Sequence, residues 1–126
     1  MTDRRLISSG SPFEPQIGFS RAVVIGRRVL VSGTAPIWPD GKVDPDPYVQ
    51  AKRCLEIIAA ALAEAGATLE QVVRTRVYLT SVTDYEAVGR ALGETFSRIR
   101  PASTMLVIQG LLDPRWKVEI EAEAVI

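Results

Sequence analysis

Five or six stretches of this chain read as strands and only two as helices, and that imbalance constrains the fold most. Lys117–Ile126 alternates without a break, setting Val118, Ile120, Ala122, Ala124 and Ile126 against Glu119, Glu121 and Glu123. A period of two marks a strand with one apolar face. Val72–Thr80 alternates as well, with Val73, Thr75, Val77 and Leu79 on one side and Arg74, Arg76 and Tyr78 on the other. Ala22–Ile25 and Val29–Ser32 flank Gly26-Arg27-Arg28, a hairpin-like turn. Thr104–Gln109 is a short apolar run.

Between these lie the helical patterns. Asp46-Pro47 supplies an N-cap and a proline at the first helical position. Ala51, Cys54, Leu55, Ile58, Ala61, Leu62 and Ala65 then recur at helical spacing until Gly66. A second stripe, Val88, Ala91, Leu92, Thr95, Phe96 and Ile99, follows Thr83-Asp84-Tyr85-Glu86, which reads as a capping box, and ends before Pro101. Two amphipathic helices cover only one face of such a sheet. The expectation is a single α+β domain over residues 1–126 whose other face is covered by self-association.

Composition removes several kinds of chemistry. The 126 residues carry 15 basic and 15 acidic side chains, net charge zero, so the sequence lacks the footprint of a nucleic-acid binder. Histidine is absent, which excludes histidine general acid–base work and His-containing nucleophile systems. No metal-ligand spacing is present, and neither a metal nor a cofactor is expected. The single Cys54 forms no intramolecular disulfide. No signal-peptide pattern and no apolar stretch of membrane-spanning length occurs, so the expected location is the cytoplasm, away from membranes.

Chemistry must then come from carboxylates, arginines, hydroxyls and backbone groups. Glu119, Glu121 and Glu123 lie on one side of their strand, about 7 Å apart by strand geometry, and Arg74 and Arg76 are their expected cross-strand partners. Glu119 is nearest the loop bearing Trp116 and borders a pocket if the strand end does. Ser32-Gly33-Thr34 closes a strand with a glycine that lets backbone groups approach a ligand, although a plain turn fits as well. Pro101-Ala102-Ser103-Thr104 is either a connector or a cleft-facing pair of hydroxyls. The pairs Arg4-Arg5 and Arg27-Arg28 read as solvated.

These residues together resemble the Rid (YjgF-type) family of reactive-intermediate deaminases, also labelled endoribonuclease L-PSP. The resemblance runs through Gly18-Phe19-Ser20-Arg21-Ala22-Val23, Val31-Ser32-Gly33-Thr34-Ala35-Pro36, Ala65-Gly66-Ala67 and Val72-Val73-Arg74-Thr75-Arg76-Val77-Tyr78. It ends with Arg100-Pro101-Ala102-Ser103-Thr104 and Val118-Glu119-Ile120-Glu121-Ala122. It implies a chorismate-mutase-like α+β fold, a mixed sheet of about six strands with two helices on one face, and a homotrimeric barrel. A small-molecule ligand would sit in the clefts between subunits. Active members of the family hydrolyse enamines and imines without a cofactor.

Carried over by resemblance, the water-activating glutamate is Glu119, and the substrate-binding set is Ser32, Gly33, Ser103, Thr104, Met105, Phe19, Trp116 and Arg21. Ser103 stands where the family's carboxylate-gripping arginine belongs, Phe19 where a tyrosine is common, and Gly89 where an asparagine is frequent. A hydroxyl does not replace a bidentate guanidinium fork. The expected function is therefore hydrolysis of a substrate other than 2-aminoacrylate. The alternatives are a non-catalytic ligand-binding or regulatory homotrimer and, third, an endoribonuclease or translation inhibitor. Arg21, Arg100 and Arg115 are the candidates for a displaced cation.

Overall fold

Asp46 starts the long helix as its sequence predicts. In the computed structural model, which describes residues 3–126, its side chain accepts a hydrogen bond from the Tyr48 amide, with Pro47 at the first helical position. This helix, α2 (Pro47–Glu64), buries Gln50, Ala51, Cys54, Leu55, Ile58, Ala61 and Leu62 and gives way to Gly66 at φ +84°. The chain before it folds as β1 (Arg4–Ile7), α1 (Phe13–Ile17), β2 (Ala22–Ile25) and β3 (Arg28–Thr34). After it come β4 (Val72–Leu79), α3 (Tyr85–Phe96), β5 (Ala102–Val107) and β6 (Val118–Val125).

All six strands form one mixed sheet in the order β1-β2-β3-β6-β4-β5. Only the β4–β5 pair is parallel, and the helix α3 forms the crossover that a parallel pair requires. Helix α2 packs across β3 and β6, and α3 lies beside α2. The core between sheet and helices holds Val29, Val31, Val77, Leu79, Val118 and Ile120 against Ile58, Leu62, Val88 and Ala91. Among the described residues neither α2 nor α3 covers the sheet's opposite face, which carries the charged residues of β4 and β6. No helix among the described residues is long and apolar enough to cross a membrane.

Two local expectations fail and two short elements escape the pattern, each for an identifiable reason. Strand β1 and helix α1 were invisible to periodicity, because they are only 4 and 5 residues long. Val73 is exposed and Val72 buried, because the β4–β6 register shifts between Val72 and Arg74. Thr83–Glu86 forms no capping box. Ser81 caps a 3-10 turn over Val82–Asp84 instead, and the reciprocal box occurs at Thr68 and Gln71. The basic pairs are exposed, as expected, and three of the four arginines also make surface bonds. Arg5 donates to the carbonyls of Glu64 and Ala65 at the end of α2, Arg27 donates to the Ile126 carbonyl, and Arg28 pairs with Glu123 at 3.0 Å.

Candidate functional site

Glu119 occupies the second position of β6, opposite Tyr78 of β4. Its neighbours Val118 and Ile120 point into the core, so its own side chain stands on the helix-free face. Across from it, β3 slips register between Val31 and Thr34. Such a bulge bends the strand and re-aims its residues. Gly33 lies in that bulge, and the Glu119 carboxylate occupies the space a side chain there would need. A Cβ on Gly33 would stand 2.8 Å from Glu119 Oε2. The glycine thus leaves the space that the carboxylate tip fills, a contact within the protein.

The electrostatics of Glu119 follow from its position. Burial pushes its carboxyl above the usual range, the Arg21 guanidinium pulls it down, and Glu121 pushes it up again. A carboxyl raised in this way holds and returns a proton more readily than an ordinary one. Farther along the strand the polar ladder is paired. Arg76 reaches Glu121 at 3.0 Å and Glu123 at 3.6 Å, and the Tyr78 hydroxyl donates to Glu121 at 3.2 Å. The expected partnership of Arg76 with these glutamates holds. Arg74 departs from it: Nη2 donates to Thr104 Oγ1 at 3.3 Å, and Nε is buried without a partner among the described residues.

Around Gly33 the N-terminal segment completes one half of the site. Arg21 Nη2 donates to the Gly33 carbonyl at 2.5 Å, and the Ser32 hydroxyl donates to the Ser20 carbonyl at 2.6 Å. Phe19 is partly exposed and donates its amide to the Glu14 carbonyl. Trp116 precedes β6, with its indole Nε1 buried and unpartnered. Ser32, Gly33, Arg21 and Glu119 are thus brought together.

Ser103, Thr104 and Met105 are not part of this cluster. They lie on β5 at the far edge of the sheet, separated from β6 by β4. Strand alternation sends the two hydroxyls to opposite faces. Ser103 Oγ accepts from Thr75 Oγ1 at 3.1 Å on the helix side, and Thr104 meets Arg74 on the other. Met105 packs against the core. Ser103 borders a cleft of about 300 Å³ lined also by Thr75, Gly93, Phe96 and Arg100. Of the expected pair of hydroxyls, Ser103 faces this cleft and Thr104 faces Arg74. Arg100 lines it at φ +54°, and Arg115 is tied to Asp113 at 2.7 Å.

Two residues that matter here carried no local signal. Glu14 is buried, and its carboxylate accepts from the Ser8 hydroxyl, the Ser9 amide and the Ser9 hydroxyl. Burial alone would raise its pKa, but those bonds and Arg21 outweigh burial and hold it below the usual carboxylate range. Gln50 is fully buried in α2 and fastens two loops, donating to the carbonyls of Asp44 and Arg115 and accepting from the Lys117 amide. It thereby sets the approach of β6 to the site. Among the described residues no group of three or more His, Cys, Asp or Glu side chains is placed to hold a metal ion.

Known proteins share this arrangement of chain. Residues 10–126 match the family described as Endoribonuclease L-PSP. An uncharacterised protein of Streptomyces coelicolor is 46% identical over 121 residues, covering 95% of this chain and 90% of that one. A RutC family protein of Pyrococcus abyssi is 37% identical over 109 residues, covering 85% and 84% respectively. The crystal structure of a Mycobacterium tuberculosis member of the YjgF/YER057c/UK114 family superposes with a TM-score of 0.90 at 41% identity, covering 98% of this chain and 100% of that one. The chain therefore belongs to the endoribonuclease L-PSP family, the YjgF/UK114 group to which the Rid proteins belong.

Proposed function

We propose that this protein is a cofactor-independent small-molecule hydrolase of the imine and enamine deaminase type, with Glu119 as the water-activating group. The observation that carries this reading is a half-buried carboxylate of raised pKa, set against a glycine bulge that leaves room for nothing larger beside it. Glu119 takes a proton from water as the oxygen attacks the imine carbon, forming a carbinolamine. It gives that proton to the nitrogen, then carries the carbinolamine hydroxyl proton to the departing nitrogen as the C–N bond breaks, leaving a carbonyl compound and ammonia or an amine.

The second half of the site comes from a neighbouring subunit in this proposal. Within one chain Glu119 and Ser103 lie on different strands and face opposite sides of the sheet. A homotrimer placing β5 of one subunit beside the Gly33 bulge of the next would close a cleft between them. The helix-free face supports such an assembly, since it leaves Leu6, Leu106 and Val125 exposed beside the charge ladder. Sedimentation of the purified protein tests it: a trimer is expected, and a monomer rules out the shared cleft.

Ser103 offers no charge to a substrate carboxylate, and this shifts the preferred substrate away from 2-aminoacrylate. The same feature favours a second reading, a trimer that binds an uncharged ligand without turning it over. Ribonuclease action has less support, because Arg28 and Arg76 are neutralised by Glu121 and Glu123 on the exposed sheet face. The deciding experiment offers the purified protein enzymatically generated 2-aminoacrylate, bulkier imino acids and imines without a carboxylate. Turnover that is lost in Glu119→Gln supports the hydrolase. No turnover of any imine by a verified trimer favours the binding reading.

A further inference from the structure

Arg21 makes an unusual set of contacts for a residue at the edge of a ligand site. Its backbone is fixed on both sides, the amide donating to the Ile7 carbonyl at 2.8 Å and the carbonyl accepting from the Ser32 amide at 3.0 Å. Nη2 holds the Gly33 carbonyl, and Nε is buried with no partner among the described residues. Its guanidinium charge is felt by two carboxylates, Glu14 on the N-terminal side and Glu119 on the sheet. Glu14 is itself fixed. Its carboxylate is bonded to Ser8 and Ser9, and its carbonyl accepts the amides of Gly18 and Phe19, both at 2.9 Å.

Each contact constrains Glu119. The bond to the Gly33 carbonyl secures the bulge whose missing side chain makes room for the carboxylate. The charge of Arg21 offsets the burial of Glu119 and the repulsion from Glu121 across the same face, with Tyr78 on β4 and the Cys54 thiol of α2 the other titratable groups nearby. One guanidinium thus bonds one carbonyl and lies within electrostatic reach of two carboxylates. A substrate carboxylate entering this half-site meets two negative charges and a cation whose Nη2 already holds the Gly33 carbonyl.

We propose that Arg21 is a positioning residue for Glu119, held by its bond to the Gly33 carbonyl, and is not the displaced grip for a substrate carboxylate. This rests on Glu119 as the reacting group, and the test separates the two ideas. The Glu119 carboxyl carbon is titrated by NMR in wild type, Arg21→Gln and Arg21→Lys, with Glu119→Gln assigning the resonance. The midpoint moves up in Arg21→Gln and returns most of the way toward wild type in Arg21→Lys, which restores the charge. An unmoved midpoint in folded Arg21→Gln overturns the proposal. If Arg21→Gln does not fold, Arg21→Lys decides alone: its weaker hold on the Gly33 carbonyl gives a small upward displacement, and a midpoint identical to wild type counts against positioning.

The second measurement adds pyruvate, a small 2-keto acid, to wild-type protein and follows the Arg21 Nε–H resonance. No saturable displacement is expected. A saturable one means that Arg21 grips carboxylates, which overturns the proposal. Both measurements are read without turnover. A failure of the hydrolase assay would therefore sink the functional reading and leave the role of Arg21 to be settled by these signals.

Discussion

Gly33 and Glu119 occupy one another's space: the hydrogen of the glycine leaves a gap that Glu119 Oε2 fills, and a Cβ there would come within 2.8 Å of that oxygen. The backbone at Gly33 does not have a positive φ, so alanine is conformationally acceptable. The atom it meets is the tip of a flexible side chain, which can rotate away. Gly33→Ala should therefore cost less than about 1 kcal/mol of stability while displacing the carboxylate by a few tenths of an ångström or more. Misplacement of a reacting group on the ångström scale costs up to about 10²-fold in rate. The expected outcome is a Tm within a few degrees of wild type, with turnover reduced at least tenfold.

Glu119 should also leave a mark on stability. Burial raises its folded pKa above the ordinary value of 4.5. The folded state then binds the proton more tightly than the unfolded one, so this group favours folding most at low pH and loses that contribution as pH rises through the folded pKa. Glu119→Gln removes a charge that is costly when ionised. Its Tm should exceed that of wild type at pH 7, and the difference should shrink as the pH falls to 4.5 and below. The same substitution should lower turnover by about 10²–10⁴-fold, the usual worth of a general base. Thermal melts of the two proteins across this range check the sign.

The opposite sign is expected at Glu14, whose folded pKa is depressed because three hydrogen bonds and Arg21 outweigh its burial. Its contribution is present above the unfolded pKa and is lost as pH falls through the folded one. Glu14→Gln should cost about 1.5–3 kcal/mol at neutral pH, the scale of hydrogen bonds to a charged group. It should also flatten the acid limb of the stability curve. Acid titration followed by circular dichroism compares the two limbs.

The sequence made long periodic elements legible and short or irregular ones illegible, for physical reasons that these residues illustrate. Val118–Val125 buries every second residue, so its pattern is the fold's own pattern. Helix α2 is long enough for its stripe and both its ends to be read. Val73 was misplaced because a one-residue bulge inverts the faces beyond it, and no propensity records a bulge. In the site, Ser32-Gly33 and Glu119 were identifiable through the resemblance, and the structure adds the reason for the glycine. Glu14 was not identifiable. It matters only because the turn after β1 brings Ser8 and Ser9 to it and the sheet brings Arg21, and none of those partners is marked by local sequence.

Gln50 shows the same limit in a residue far from the chemistry. Its side chain makes three hydrogen bonds, to the Asp44 and Arg115 carbonyls and from the Lys117 amide, and it is wholly buried. Gln50→Leu keeps most of the volume but strands those backbone groups. Each buried polar group left unpaired costs about 1–3 kcal/mol, so with three stranded a fall in Tm of roughly 10 °C or more is expected. Because Lys117 leads into β6, amide exchange at residues 115–118 should quicken more than exchange in β2 or β4.

Ser103 allows the strongest test of how the two half-sites fit together. It lies on β5 beside a cleft of about 300 Å³ that Arg100 also lines, and its hydroxyl accepts a bond from that of Thr75. Ser103→Arg places a guanidinium there at the cost of that one hydroxyl bond. Arginine holds carboxylates through two parallel charge-assisted bonds, and each 1.4 kcal/mol gained is about tenfold in affinity. If the cleft faces the Gly33 bulge of a neighbouring subunit, the variant should bind a 2-keto acid at least tenfold more tightly. It should hydrolyse 2-aminoacrylate faster than wild type, and that gain should vanish when Glu119→Gln is added. Tighter binding without faster hydrolysis would mean that the new cation holds the carboxylate out of line with Glu119, pointing to Phe19 and Gly89 as the residues that set alignment. No change in either, with the trimer intact, would show that Ser103 does not face the reacting carboxylate at all.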